Sequence, residues 1–326
     1  MASLQLGEEV AVAHYMLLEQ RRMSIFATIG PEPPRLLMFP FALLLMAVTI
    51  APLILRHHWE RHYYKFCFAL AAFVCGYYLF IGGDVQRVAH ALFEYFSFMV
   101  VVGSFFTVAG GIHLRTRSHS RPLTSTLFLL IGALLASVIG TIGASMLLIR
   151  PWIEMNKARF AGFHLAFFIF IISNVGGLLL PVGPPLFLGY QNGVPFFWSL
   201  VRLWPHWLFV SALLLSIFYV LDSFNSKRSI DLDAELPVEK WRVFGKRNLV
   251  FMSILLVALI ALPSPARELV MIVTAIVSYV FSPRHVHEAN AFTFLPLQEV
   301  AALFLGIFGT MIPVLDYVKM HASDLG

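Results

Sequence analysis

The chain has 326 residues, of which 59% are hydrophobic and 13% charged, and its mean hydropathy is +0.80. A soluble domain is about 45–50% apolar and about 25% charged, so these figures exclude a soluble enzyme and a nucleic-acid-binding module and predict an all-α polytopic membrane protein. The net charge of +5 does not call for a polyanionic partner, because the Lys and Arg residues fall in short loops between apolar runs, where they set orientation in the bilayer. Cys67 and Cys75 share one apolar run, which leaves neither a disulfide framework nor a CxxC metal motif.

In chain order, residues 1–33 carry Glu8, Glu9, Glu19, Arg21 and Arg22 and lack the organisation of a signal peptide. They read as an N-terminal extension: either a surface helix over 8–29 or an upstream addition ahead of Met23. Apolar runs follow at 36–55, 66–81 and 88–112, the first closed by the charged cluster Arg56 to His62. Residues 127–149 are apolar enough to span, yet Gly140, Thr141, Gly143, Ala144 and Ser145 sit at their middle. Small and hydroxylated residues there predict a turn inside the membrane.

The positive-inside rule separates a span from a re-entrant hairpin at this point. With a hairpin over 127–149, the loops at 56–65, 113–122, 150–160 and 222–247 all face the cytoplasm and carry 3, 3, 3 and 6 Lys/Arg. The outside loops then hold Arg87, Arg202 and Arg267. Residues 164–198 are too long for one regular span and are interrupted by Gly176, Gly177, Pro181, Gly183, Pro184 and Pro185, which predicts a broken helix. A discontinuous helix facing a hairpin is how ion-coupled transporters build sites at mid-membrane. A helix at 207–221, a polar cytoplasmic linker at 222–247 and apolar runs at 248–262, 268–281 and 298–318 complete the chain.

Ionisable residues inside apolar runs are costly and usually face a bundle interior. Glu94 is the candidate for proton coupling, ahead of Glu299 and of Asp316, which reads as interfacial. His58 and His62 have the spacing of a helical metal pair, but they lie among arginines in a surface loop and lack the further histidine boxes a membrane di-iron oxygenase needs. No catalytic residue, cofactor or resident metal is expected, and the chain is not read as an enzyme.

At GTIGASMLLIRPWI (140–153), SNVGGLLLPVGPPLFLG (173–189) and GVPFFW (193–198) the chain resembles the ion-transporter superfamily, specifically NhaD-type sodium/proton antiporters and citrate transporters of the CitMHS type. The resemblance runs from about Pro34 to the C-terminus through ERHY (60–63), EYFSFMVVVGSFFTVAGGI (94–112) and LPLQEVAALFLGIFGTMIP (295–313). It implies an inverted-repeat fold with a re-entrant hairpin and a broken helix in each repeat, here with a first repeat at 34–221 and a second, incomplete one at 248–326. It further implies that Gly140, Thr141, Ser145, Ser173, Asn174, Gly176, Gly177 and Gly183 line an ion or substrate half-site. Against the family pattern, Ile142 and Leu180 stand at threonine positions and no aspartate follows Gly183.

The function this resemblance implies is secondary active transport across a bacterial inner membrane, with sodium/proton exchange as the first expectation. A carrier of citrate or another small carboxylate, or a truncated member that does not transport alone, are the alternatives. The partners are then the lipid bilayer, Na⁺ and H⁺ or a carboxylate, and a second copy or a separate C-terminal half that completes the site.

Overall fold

A computed structural model describes residues 34–117, 121–228 and 239–321. The N-terminal extension at 1–33 and the middle of the linker lie outside the described residues. Leu36, Leu53 and Phe80 are 85%, 83% and 88% exposed and many other large apolar side chains are likewise uncovered. Soluble monomers rarely expose contiguous apolar patches above a few hundred Å², so the medium that covers these side chains is lipid. Six described helices are long and apolar enough to cross a bilayer, and the protein is an all-α multi-pass membrane protein.

The chain divides into two compact units: residues up to Tyr95 together with those from Glu299 onward, and Phe96–Gln298. In the first, α1 (Phe39–Ile54) follows a 3₁₀ turn at Arg35–Met38 and ends at Leu55, where the backbone leaves the helical region. α2 (Arg56–Phe80) begins at once. The charged cluster that reads as a loop is therefore helical: Arg56 to His62 form its first turns, and Arg56 pairs with Glu60 one turn on at 3.0 Å. Such i,i+4 pairs add to helix stability, and a helix end projecting into water satisfies the charges as well as a loop does.

α3 (Val85–Gly110) and α12 (Leu295–Met320) each run through both units. Within the first unit α12 meets α2 through small residues. A Cβ on Gly309 would lie 2.6 Å from the Cβ of Ala71, and one on Gly306 2.9 Å from that of Cys67. Small residues let two helix backbones approach closely where lipid provides no hydrophobic drive between helices. Asp316, read as interfacial from sequence, pairs with Arg87 and accepts a hydrogen bond from Tyr78 at 3.1 Å.

The second unit is built from two helical hairpins, the broken helix and one long helix. α4 (Pro122–Ile139) and α5 (Thr141–Asn156) form the first hairpin, with Gly140 alone as its turn. Its open end is closed by Ser125, whose hydroxyl donates to Asn156 Oδ1 at 2.9 Å, so both ends of the hairpin lie together. The core beneath it is aromatic: the fully buried Trp152 stacks on Phe128 at 5.5 Å and meets Phe168 and Phe218.

The broken helix begins as α6 (Gly162–Phe168), widens into a π-helical turn at Ile169–Asn174, tightens into a 3₁₀ turn at Val175–Leu178, and resumes as α7 (Pro184–Gln191). α8 (Trp198–Arg228) is longer than the 207–221 expected from hydropathy and carries the chain into the linker.

The linker also holds a strand that sequence does not signal: β2 (Glu239–Phe244) pairs antiparallel with β1 (His113–Arg117), with His113 opposite Phe244 and a bulge between Arg115 and Arg117.

A further departure lies at 247–281, where sequence suggests two crossings joined by an outside loop containing Arg267. α9 (Arg247–Ala261) and α10 (Ala266–Phe281) have 15 and 16 residues, so each rises only about 22–24 Å at 1.5 Å per residue, short of a hydrocarbon core of about 30 Å. Asn248 ties their far ends: its amide donates to Ser282 Oγ at 2.7 Å and accepts from Ser278 at 2.9 Å. The result is a second hairpin, and Arg267 at its tip is 6% exposed rather than in a loop. α11 (Arg284–Ala289) then leads to α12.

Candidate functional site

The single-residue turn of the first hairpin demands glycine, because Gly140 has φ +80°, a conformation side-chain-bearing residues rarely adopt. Directly after it α5 begins, and among the described residues no side chain caps its N-terminus. First-turn amides of a helix have no acceptor within the helix, and they carry the positive end of its dipole. This tip borders a narrow crevice lined by Gly140, Thr141, Ile142 and Gly143, by Val102 and Phe105 of α3, and by Val182 and Gly183 just before α7. None of its lining residues is a carboxylate or an arginine.

Glycines on the broken helix permit the hairpin to come this close. A Cβ on Gly177 would lie 2.5 Å from Cγ2 of Thr141, and one on Gly176 would meet Ala136 Cβ at 2.8 Å and the Ala133 carbonyl at 3.0 Å. The irregular backbone of the break exposes carbonyls that need donors. Ser137 of α4 donates to the Gly176 carbonyl, and Ser199 of α8 donates to that of Leu179 at 2.9 Å. The Asn174 amide donates to the carbonyl of Ile169, five residues back, at 2.9 Å, the spacing of the π turn itself.

The expected half-site residues thus separate into three groups. Gly140, Thr141 and Gly183 line the crevice, and Gly177 packs against Thr141 behind it. Ser145 and Ser173 share a hydrogen bond of 2.8 Å that joins α5 to the π turn. Asn174 is exposed and Gly176 is buried with its carbonyl engaged, so these two hold the break in shape. Glu94 belongs to the other unit, where its carboxylate lies 3.3 Å from His90 Nε2 in a crevice lined also by Arg87 and Lys319. His58 and His62 stack along α2 with ring centroids 6.4 Å apart, and among the described residues no group of three or more His, Cys, Asp or Glu side chains could hold a metal.

Sequence reasoning missed two buried polar clusters in the second unit. In one, Asp222 of α8, fully buried, pairs through Oδ1 with Arg159 at 2.8 Å and His164 Nε2 at 3.1 Å. His164 Nδ1 accepts from the Ala161 amide at 3.2 Å, which leaves the proton on Nε2, directed at Asp222. The other is Arg267 with Glu268 and Ser97, at the tip of the second hairpin. The signal available was PSPARE (263–268) between two runs too short to span.

No curated protein and no solved structure matches the chain. A family model described as "Putative citrate transport" (CitMHS_2) matches residues 31–325. That span covers both units and both hairpins, and of the two resemblances in the sequence it falls on the CitMHS side. The chain therefore belongs to this citrate-transport family, as a multi-pass membrane member.

Proposed function

We propose that the protein is a secondary active carrier for small carboxylates of the citrate class, working in a bacterial inner membrane. The observation that carries this reading is the uncapped N-terminus of α5 opening on a crevice without carboxylates. An anion is stabilised at such a helix end by free amides and by the dipole, whereas a bare cation is repelled there. The family match supports the same substrate class. Sodium/proton exchange, the first expectation from sequence, draws less support: a site built to release Na⁺ and H⁺ in turn needs an ionisable oxygen ligand, and none lines this crevice. Glycine at 140 and the close fit of Gly177 on Thr141 make the crevice a joint between hairpin and break, so a small shift of either opens or closes it.

The test is uptake of radiolabelled citrate by proteoliposomes containing the purified full-length chain, beside Na⁺-driven proton flux in the same vesicles. Saturable citrate uptake that unlabelled tricarballylate inhibits, and that falls strongly in Gly140→Val, is the expected result. Proton flux that rises with Na⁺ while citrate uptake stays at the level of empty vesicles would reverse the assignment.

A further inference from the structure

At the tip of the second hairpin, neighbouring residues of α10 form an ion pair in an awkward geometry. Arg267 reaches a single oxygen of Glu268: Nη2 lies 2.6 Å and Nε 3.1 Å from Oε1, which also accepts from Ser97 Oγ at 2.5 Å. Arg267 Nη2 donates in addition to Ser97 Oγ at 2.9 Å. The second oxygen of Glu268, Oε2, is buried and has no hydrogen-bond partner among the described residues, and the residue is only 3% exposed. A guanidinium and a carboxylate pair best as a fork, with two parallel bonds to two oxygens. Consecutive residues of a helix do not face one another, so this pair cannot reach that form.

The guanidinium is also placed as a receptor would be. It lies 5.6 Å from the ring centres of both Phe187 and Tyr190 on α7, a desolvated setting in which an arginine favours planar anions. α7 begins beside Gly183 and α3 carries Val102, both on the crevice wall. Phe187 is four residues from Gly183 and Ser97 five from Val102, about 6–7.5 Å along each helix. The groups facing Glu268 are Arg267 on its own helix and Ser97 of α3, with Tyr190 of α7 behind the guanidinium and bonded to Leu259 of α9. Of these only Arg267 is charged.

We propose that Arg267 is a second receptor, reserved for the third carboxylate of a tricarboxylate substrate, and that Glu268 is a stand-in ligand which the substrate displaces. This rests on the carboxylate reading above. A substrate carboxylate can take both forks of Arg267 and reach the better geometry. Glu268, left buried without its cation, then accepts a proton from water at Oε2, because an isolated buried carboxylate is far costlier than a neutral one. Substrate binding at this receptor is accordingly tighter at lower pH.

The experiment is equilibrium binding of tricarballylate and glutarate, which differ by one carboxylate, to the purified full-length protein between pH 6 and 8. Wild-type protein is expected to prefer tricarballylate by about tenfold or more, the range of a charged hydrogen bond, and more strongly at pH 6. Arg267→Gln is expected to lose that preference while keeping glutarate affinity. Glu268→Gln removes the competitor and is expected to bind tricarballylate about tenfold more tightly, with the pH dependence gone. Glu268→Asp, with a shorter reach, moves affinity in the same direction and serves if the glutamine variant does not fold.

Retention of the tricarballylate preference in Arg267→Gln, or unchanged pH dependence in Glu268→Gln, overturns the inference alone. So does weaker binding by Glu268→Asp. Absence of binding of either acid by the wild-type protein overturns the carboxylate reading and this inference together, before any variant is made.

Discussion

The hydroxyls of Ser145 on α5 and Ser173 on the π turn lie 2.8 Å apart, and this bond joins the first hairpin to the broken helix. Intramembrane hydrogen bonds between helices average about 0.6 kcal/mol in coupling energy. Ser145→Ala and Ser173→Ala are therefore each expected to lower thermal stability slightly in detergent, and the double variant to lose no more than the worse single. A double-mutant cycle from unfolding midpoints measures this; fully additive losses would show that the two hydroxyls act separately.

The contact between Gly177 and Thr141 predicts a rescue. Gly177→Ala drives a methyl to within 2.5 Å of Thr141 Cγ2, and overpacking of this kind costs about 1–3 kcal/mol. Thr141→Ser removes that methyl and keeps the hydroxyl. Citrate uptake lost in Gly177→Ala should thus return, at least in part, in the double variant Gly177→Ala/Thr141→Ser. A Cβ on Gly176 would meet not only Ala136 Cβ but also the backbone of Ala133, at 3.0 Å from its carbonyl oxygen, which no side-chain trimming relieves, so Gly176→Ala should remain inactive even with Ala136→Gly.

Asp222, fully buried and shared by Arg159 and His164, holds α8 to the far end of the first hairpin, since Arg159 also donates to Ser125 at 3.2 Å. Removing one partner of a buried ion pair leaves an uncompensated charge and costs about 3–5 kcal/mol. Asp222→Ala should lower the unfolding midpoint far more than Asp316→Ala, whose carboxylate is partly accessible. Equal shifts in a thermal unfolding assay would contradict the assignment.

In α11, outside the spanning helices, His287 lies between Tyr279 and Phe292, with ring centres 5.1 and 5.2 Å away. Burial lowers its pKa below the ordinary 6.5, with a partly opposing contribution from the backbone of Tyr279. The folded state thus prefers the neutral ring. Its stability is unaffected above pH 6.5 and falls as the pH drops below that value, where the unfolded chain takes up a proton that the native ring resists. Unfolding midpoints between pH 7.5 and 5 should decline less in His287→Phe than in wild-type protein.

The membrane class, the first three helices, the hairpin turn at Gly140 and the break between Asn174 and Pro184 were all legible in the chain, because each is a local matter. Apolar length decides what enters lipid, and glycine and proline decide where a helix cannot continue, whatever surrounds them. The segments GTIGASMLLIRPWI and SNVGGLLLPVGPPLFLG contribute Gly140 to Gly143, Val182 and Gly183 to the crevice lining.

Partnership was beyond that reading. Ser137 and Gly176 are 39 residues apart, Ser97 and Glu268 171, and Arg159 and Asp222 lie on separate helices. Nothing in local sequence marks which donor meets which acceptor. The pairing of β1 with β2 is invisible for the same reason, and α9 with α10 reads as two crossings until Asn248 is seen to draw their ends together. In lipid a buried polar group left without a partner is costly, and folding alone determines which groups find one and where.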